Sequence, residues 1–184
     1  MIIGLVGEKL AGKDTTANYL VEKHEASHFR FSHILDEILE TLNLPISRKN
    51  EVDLGLGLRK IFSDHVLVNA LEKRVKEAWT KLIVVNGIRM DEMEVVRAWG
   101  AKIIYITAPL QTRLERYNNR REKADDAEMN LEEFEKQENG PTEHAIPELG
   151  KSADFRIDNT GSLEELHNKI DAILKPLMKE RENA

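Results

Sequence analysis

Gly7-Glu8-Lys9-Leu10-Ala11-Gly12-Lys13-Asp14-Thr15-Thr16 follows directly on the apolar run Ile2–Val6 and opens a helical pattern. As a strand, a glycine-bearing turn and a helix, it has the spacing G-x-x-x-x-G-K. Glycines let consecutive backbone N–H groups curl around an anion, the helix N-terminus adds its positive dipole end, and a lysine reaches the outer charges. Phosphate is the anion such a cradle suits. Gly7, Lys9, Ala11, Gly12, Lys13, Asp14 and Thr15 are therefore the candidate nucleotide-binding residues, with Lys13 also catalytic. One position departs from the pattern. Asp14 stands where Ser or Thr normally offers a hydroxyl to Mg2+. It is read either as a magnesium ligand, with Thr15 as the neighbouring alternative, or as a carboxylate favoured by the dipole at a helix start.

Outward from this loop, short apolar runs alternate with longer amphipathic segments. The clearest strands are Ile2–Val6, Leu82–Val85 and Ile103–Thr107, and His28–Phe31 and Phe155–Ile157 are shorter candidates. Helical patterns cover about Lys13–Lys23, Ser32–Leu42, Asp53–Trp79, Asp91–Trp99, Leu110–Arg121, Leu131–Glu138 and Leu163–Lys179. That alternation predicts an α/β domain with a mostly parallel sheet of five strands and helices on both faces. Gly55 and Gly57 mark a break or late start in the longest helical pattern, and Pro45 ends the element before it. Asn118–Gly150 is dense in charge and poor in large apolar residues, so it is expected to project as a mobile arm.

Composition narrows the function classes. The 184 residues suit one domain. Lys+Arg 27 against Asp+Glu 33 leaves a net charge of −6, which argues against coating a nucleic acid. Cysteine is absent, which excludes disulfides, thiolate metal sites and a catalytic thiol, and fits a reducing cytoplasm. The opening residues lack a signal-peptide pattern, and their apolar run is too short for a membrane span. None of the six histidines shows metal-ligand spacing or a triad pattern.

Gly12-Lys13-Asp14-Thr15 resembles the P-loop kinases of small metabolites, specifically the nucleoside monophosphate kinase superfamily, which includes deoxynucleoside monophosphate, phosphomevalonate and dephospho-CoA kinases. Phe31-Ser32-His33-Ile34-Leu35, Ser47-Arg48, Leu58-Arg59, Asn86-Gly87-Ile88-Arg89, Arg113 to Arg121 and Ala153-Asp154-Phe155-Arg156-Ile157-Asp158-Asn159 follow in the order such kinases show. The resemblance implies a three-layer P-loop kinase fold over 1–184, with acceptor-binding helices in 32–79 and a lid in 122–150. It also implies ATP as donor and magnesium as cofactor.

Phosphoryl transfer needs cations around the migrating group and an aligned, dry site. Arg113, Arg116 and Arg120 share one helical face. In the family such arginines clamp phosphates, which makes Arg116 and Arg120 catalytic candidates; the other reading is a salt-bridged surface helix. Arg89 follows a strand end, where α/β folds bind ligands. It is a candidate for the acceptor's phosphate and for catalysis, or a helix-start arginine paired with Asp91 or Glu92. Asn86 takes the place of a magnesium-shell Asp. Arg48, Arg59 and Asp36 are acceptor-binding candidates or surface residues, and Glu37 is a possible base alongside Asp36. Asn159 and Gly161 are adenine-contact candidates on the resemblance, while Ser162 and Glu165 form a capping box that explains much of that loop by itself.

The expected activity is ATP- and Mg-dependent transfer to a small nucleotide-like acceptor, foremost a (deoxy)nucleoside monophosphate. Dephospho-CoA or another phosphorylated metabolite is the alternative acceptor. A nucleotide-binding regulatory ATPase without metabolite transfer is a reading from a different class, and a nonenzymatic domain is another. A GTPase is disfavoured, because Asn168-Lys169-Ile170-Asp171 lies inside a helical pattern rather than at a strand end.

Overall fold

The computed structural model describes residues 1–120, 127–140 and 143–182. Five strands form one parallel sheet: β1 (Ile2–Val6), β2 (Ser27–Arg30), β3 (Ile83–Asn86), β4 (Lys102–Thr107) and β5 (Phe155–Asp158), in the order β2-β3-β1-β4-β5. Every pairing is parallel; Gly4, for example, sits opposite Val85 on one side and Ile103 on the other. The expected five-stranded parallel sheet is therefore present.

Side-chain alternation along each strand builds two cores. Ile3, Leu5, Val84, Ile104 and Ile106 face α1 (Lys13–His24) and α9 (Leu163–Glu182), which contribute Ala17, Leu20, Leu166, Ile170 and Leu174. Val6, Ile83, Val85, Ile103 and Tyr105 face the opposite layer. That layer draws on α2 (Phe31–Thr41), α4 (Val66–Lys76), α5 (Met90–Ala98) and α8 (Ile146–Lys151), with α3 (Arg48–Ile61) packed on α2 and α4. These are the three layers. Asn168–Asp171 lies within α9, as the helical pattern required. No helix among the described residues is long and apolar enough to cross a membrane.

Two expectations need correction. The helical pattern Asp53–Trp79 is two helices, and they part at Phe62–His65 rather than at the glycines. α3 starts early because Ser47 caps it, accepting from Asn50 N at 3.1 Å. Its end falls where Ser63 turns the chain, Ser63 O accepting from Val66 N at 3.1 Å. Gly55 and Gly57 both lie inside α3. Nor does the described part of 118–150 project. Phe134 of α7 (Leu131–Glu138) is fully buried against Leu114 and Tyr117 of α6 (Leu110–Arg120). Ile146 and Leu149 of α8, which the sequence pattern did not announce, bury in the sheet's core. A few apolar side chains suffice to dock a charged segment, and the charges themselves find partners at the loop. Arg121, residues 122–126 and residues 141–142 lie outside the described residues.

Candidate functional site

The chain after β1 leaves toward β2, whereas after β3 it crosses over to β4, so the C-terminal end of β1 is the switch point where α/β folds form a crevice. The Gly7–Lys13 loop occupies it. Glycine at position 7 is a steric requirement, since a Cβ there would collide with the Ile106 carbonyl. Gly12 holds the left-handed conformation (φ 114) just before α1, and a Cβ would strike the Asn159 amide. Lys13 folds over the loop, its Nζ donating to Gly7 O and Glu8 O at 2.8 Å each. Burial, and next the Arg89 charge, push its ammonium down to about 8.

A cavity of about 530 Å3 opens from this loop. Lys9, Lys13, Asp14 and Arg120 border it at the loop, and Arg30, Arg48, Arg59 and Arg89 border it from β2, α3 and the β3 end. Asp14 lies between the two groups. Asn86 Nδ2 donates to its Oδ1 at 2.7 Å, Arg30 Nη1 stands 3.6 Å from Oδ1, and Arg120 Nη1 stands 3.9 Å from Oδ2. Burial alone would raise the Asp14 carboxyl; Arg30, Lys13, Arg120 and the Asn86 bond outweigh it and hold it below its usual range. The same Asn86 amide leaves Oδ1 buried without a hydrogen-bond partner among the described residues. An ionised carboxylate beside an unused amide oxygen is a hard donor set of the kind magnesium takes. Thr15, by contrast, is half-buried and does not border the cavity.

The arginines of α6 divide by role. Arg120 faces the cavity. Arg116 instead donates to Leu10 O at 3.1 Å and Asn159 O at 2.9 Å, so it braces the loop from behind. Arg113 is buried, donating to Ala108 O at 2.9 Å and forking onto Glu138 of α7. The expectation that Arg113 and Arg116 converge on the crevice thus gives way to a scaffold: Arg113 reaches Lys9 O at 3.4 Å and Arg116 reaches Leu10 O, both on the loop's backbone, while Ala108 O and Asn159 O hold them beside it.

Asn159 is likewise committed. Its side chain donates to Ala11 O at 2.8 Å and is buried, which ties the β5 end to the loop. Ala11 is wholly buried and serves through this carbonyl. Gly161 is exposed beside the capping box, in which Ser162 N donates to Glu165 Oε2 at 3.0 Å and Glu165 N to Ser162 Oγ at 3.2 Å. Asp36 does not border the cavity, and Glu37 forks with Arg74 at the surface, so neither is placed as a base.

Arg89 and Arg59 are held by carboxylates. Arg89 Nη2 donates to Glu143 Oε1 at 2.7 Å, and Arg59 Nη2 pairs with the fully buried Glu92, which also accepts from Arg89 N at 2.8 Å. Glu92, one of the two partners expected for Arg89, thus meets its backbone rather than its guanidinium. Burial works against the Glu143 carboxylate, yet Arg89, Lys13 and Lys9 together hold its pKa below the usual range. Lys9 Nζ donates to Gln137 Oε1 at 2.6 Å. Arg48 lies 5.5 Å above the Tyr117 ring.

Two residues of the site escaped the sequence reading. Arg30 ends β2, one position before the Phe31-Ser32 pair that drew attention, and only the pairing of β2 with β3 brings it level with Asn86. Glu143 sits in a charged stretch with no periodic signal.

A family model described as an AAA domain matches residues 3–140. A UPF0200/UPF0201 protein of Archaeoglobus fulgidus is 27% identical over 97% of this chain, which spans 56% of that protein's length. A UPF0200 protein of Methanothermobacter thermautotrophicus is 24% identical, covering 100% of this chain and 94% of its own. Among solved structures, shikimate kinase from Bacteroides thetaiotaomicron superposes with a TM-score of 0.66 at 13% identity, over 95% of this chain and 98% of that one. Shikimate kinase from Acinetobacter baumannii in complex with shikimate gives 0.62 at 21%, over 95% and 93%. A gluconokinase from Sinorhizobium meliloti 1021 gives 0.59 at 13%, over 97% and 93%. At such identities the likeness shows the fold, a three-layer P-loop kinase fold.

Proposed function

The chain belongs to the AAA domain family, and from that premise we propose that it is an ATP- and Mg-dependent phosphotransferase whose acceptor is small and nucleotide-like, foremost a (deoxy)nucleoside monophosphate. One observation carries the reading: a single cavity joins the phosphate loop to a second, arginine-bearing end formed by β2 and α3. Two anionic bodies fit such a space end to end. Residues 32–79 then hold the acceptor, and α7, whose Gln137 borders the cavity, covers the donor as the lid.

The loop amides and Lys13 hold the donor's phosphates, and Lys9 reaches them from the loop's outer side. Asp14, with Asn86 orienting it, is the residue that would hold magnesium. When bound, the metal would supply positive charge to offset that of the donor's phosphates. Arg120, Arg30 and Arg89 surround the place where charge spreads during transfer, and preorganised cations there lower the barrier. Asn159 and Arg116 act on the loop's shape instead.

The nature of the nucleophile follows from the carboxylates. Asp14, Asp53, Glu92 and Glu143, four of the five carboxylates bordering the cavity, each face a cation, and none of these four is a poised base. A hydroxyl acceptor, such as the shikimate bound by one kinase that shares the fold, would benefit from one. A phosphate monoester needs none, because its second ionisation lies near about 6 and it arrives as the anion. That supports a monophosphate acceptor over a sugar alcohol.

The test is a panel of ribo- and deoxyribonucleoside monophosphates, dephospho-CoA, phosphomevalonate, shikimate and gluconate with ATP and magnesium, read by phosphorus NMR. A new phosphoanhydride on one monophosphate is expected, and Lys13→Ala should lose it about a hundredfold or more with an unchanged far-UV spectrum. ADP release with no phosphorylated product would establish the regulatory ATPase instead.

A further inference from the structure

Glu92 borders the cavity and is nevertheless fully buried. A carboxylate taken out of water needs partners, and this one has a partner for each oxygen. Oε2 accepts from Arg89 N at 2.8 Å, and Oε1 accepts from Arg59 Nη2. The first bond closes the start of α5, where Glu92 is the third helical residue. A glutamine oxygen would serve there as well. Capping therefore accounts for one oxygen and not for the other.

The second bond reaches from α5 to α3, a helix packed on α2 and α4. Stability is a poor reason for it, because a buried ion pair roughly returns in attraction what desolvation costs, and apolar residues of equal volume commonly do as well. What the pair fixes is an orientation. Gly55 lies one turn before Arg59, and a Cβ there would stand 3.3 Å from Arg59 Nη1, closer than ordinary contact. The guanidinium is thus folded back along α3, with Nη1 beside bare helix and Nη2 on Glu92. Arg59 borders the cavity and keeps 14% of its side chain exposed, against 0% for Glu92, so the held group is the one a ligand can reach.

We propose that Glu92 is a positioning residue for the acceptor: it fixes Arg59 at the α3 end of the cavity before anything binds, so that the acceptor's anionic group meets a guanidinium already ordered. This rests on the acceptor reading given above. An arginine that must be immobilised on binding gives up rotamer freedom, and holding it beforehand removes that cost. The same carboxylate holds Arg89 N, so the backbone from which the Arg89 side chain leaves is set by one group together with Arg59.

Charge alone argues the other way, since removing an anion beside a phosphate site tightens binding. The sign of the effect therefore decides. With ATP and magnesium, and AMP, GMP, CMP and UMP as acceptors in turn, Glu92→Gln should raise acceptor KM by about five- to tenfold. Its kcat and its KM for ATP should stay within about twofold of the parent. In an Arg59→Met background the same exchange should no longer raise acceptor KM, because nothing is left to position. Arg59→Met strands a buried carboxylate, so a second measurement avoids it. Nitrogen spin relaxation of the arginine Nε–H groups, in the protein without ligand and with Arg59→Lys identifying the signal, should show Arg59 rigid in the parent and mobile on the nanosecond scale in Glu92→Gln.

An acceptor KM unchanged or lowered in Glu92→Gln would overturn the inference while leaving the kinase reading intact. So would a rise that persists in the Arg59→Met background, or an Arg59 signal of equal mobility in parent and Glu92→Gln, either of which would mean that Glu92 only caps α5. If the parent neither phosphorylates nor, by calorimetry, binds any of the four monophosphates, the acceptor reading fails and this inference fails with it.

Discussion

Lys13 shows how one residue's surroundings prepare it for an anion. Burial and Arg89 make its charge costly, which is why its pKa falls from 10.5 to about 8. A bound triphosphate reverses that cost, so binding above about pH 8 should draw in a proton. Calorimetry of ATP binding at about pH 8.5 in buffers of different ionisation enthalpy should show uptake approaching one proton in the parent and far less in Lys13→Met. Near about pH 7 the parent's uptake should vanish, because the ammonium is already protonated. The stability sign is the opposite. The unfolded chain binds this proton more readily, so the Lys13 contribution to stability grows as pH rises from about 8 toward 10.5. Lys13 and the glycines were legible from spacing, because a phosphate cradle is local. The partners of Asp14 were not, since Arg30 and Asn86 come from two other strands.

At the scale of elements, α6 is the instructive case. Its three arginines were readable as one face, yet one faces the cavity while two support the loop. The difference lies in what each turn of the helix packs against, which periodicity does not contain. Arg113 has the strongest structural role, being buried and forked onto Glu138, so its loss strands a carboxylate. Urea unfolding of Arg113→Met should show a loss on the order of 3 kcal/mol. The exposed Arg156–Asp158 pair is the contrast, and Arg156→Ala should cost less than about 1 kcal/mol. Comparable losses in the two variants would refute the division. The docking of α7 and α8 belongs to this scale as well. Phe134, Ile146 and Leu149 are three apolar positions in an acidic stretch, too sparse for a pattern but sufficient once a surface exists to receive them.

His28 is one group through which the whole molecule responds to acid. Its ring lies on the edge strand β2, with Nε2 buried and without a hydrogen-bond partner among the described residues. Burial, then the charge of Arg30, lowers its pKa from 6.5 to about 4. The folded state resists the proton that the unfolded state accepts, so this contribution is complete above 6.5 and is lost as pH falls toward 4. Between about pH 7 and about pH 5 the urea midpoint of the parent should fall further than that of His28→Gln. An equal fall in both proteins would remove His28 from the account.

Strand and helix order, the parallel sheet and the phosphate loop were decided by the sequence itself, because apolar periodicity and glycine spacing act over neighbours in the chain. The break between α3 and α4, the inward packing of α7 and α8 and the separation of cavity arginines from scaffold arginines were decided by tertiary structure. Each depends on which surfaces meet across the sheet. The charge balance shows the same division. A net −6 argued against a nucleic-acid coat, but convergence of Lys9, Lys13, Arg30, Arg48, Arg59, Arg89 and Arg120 on one cavity needed four elements and two loops brought to one sheet edge. Composition sums charge over the chain, whereas a site depends on where folding places it.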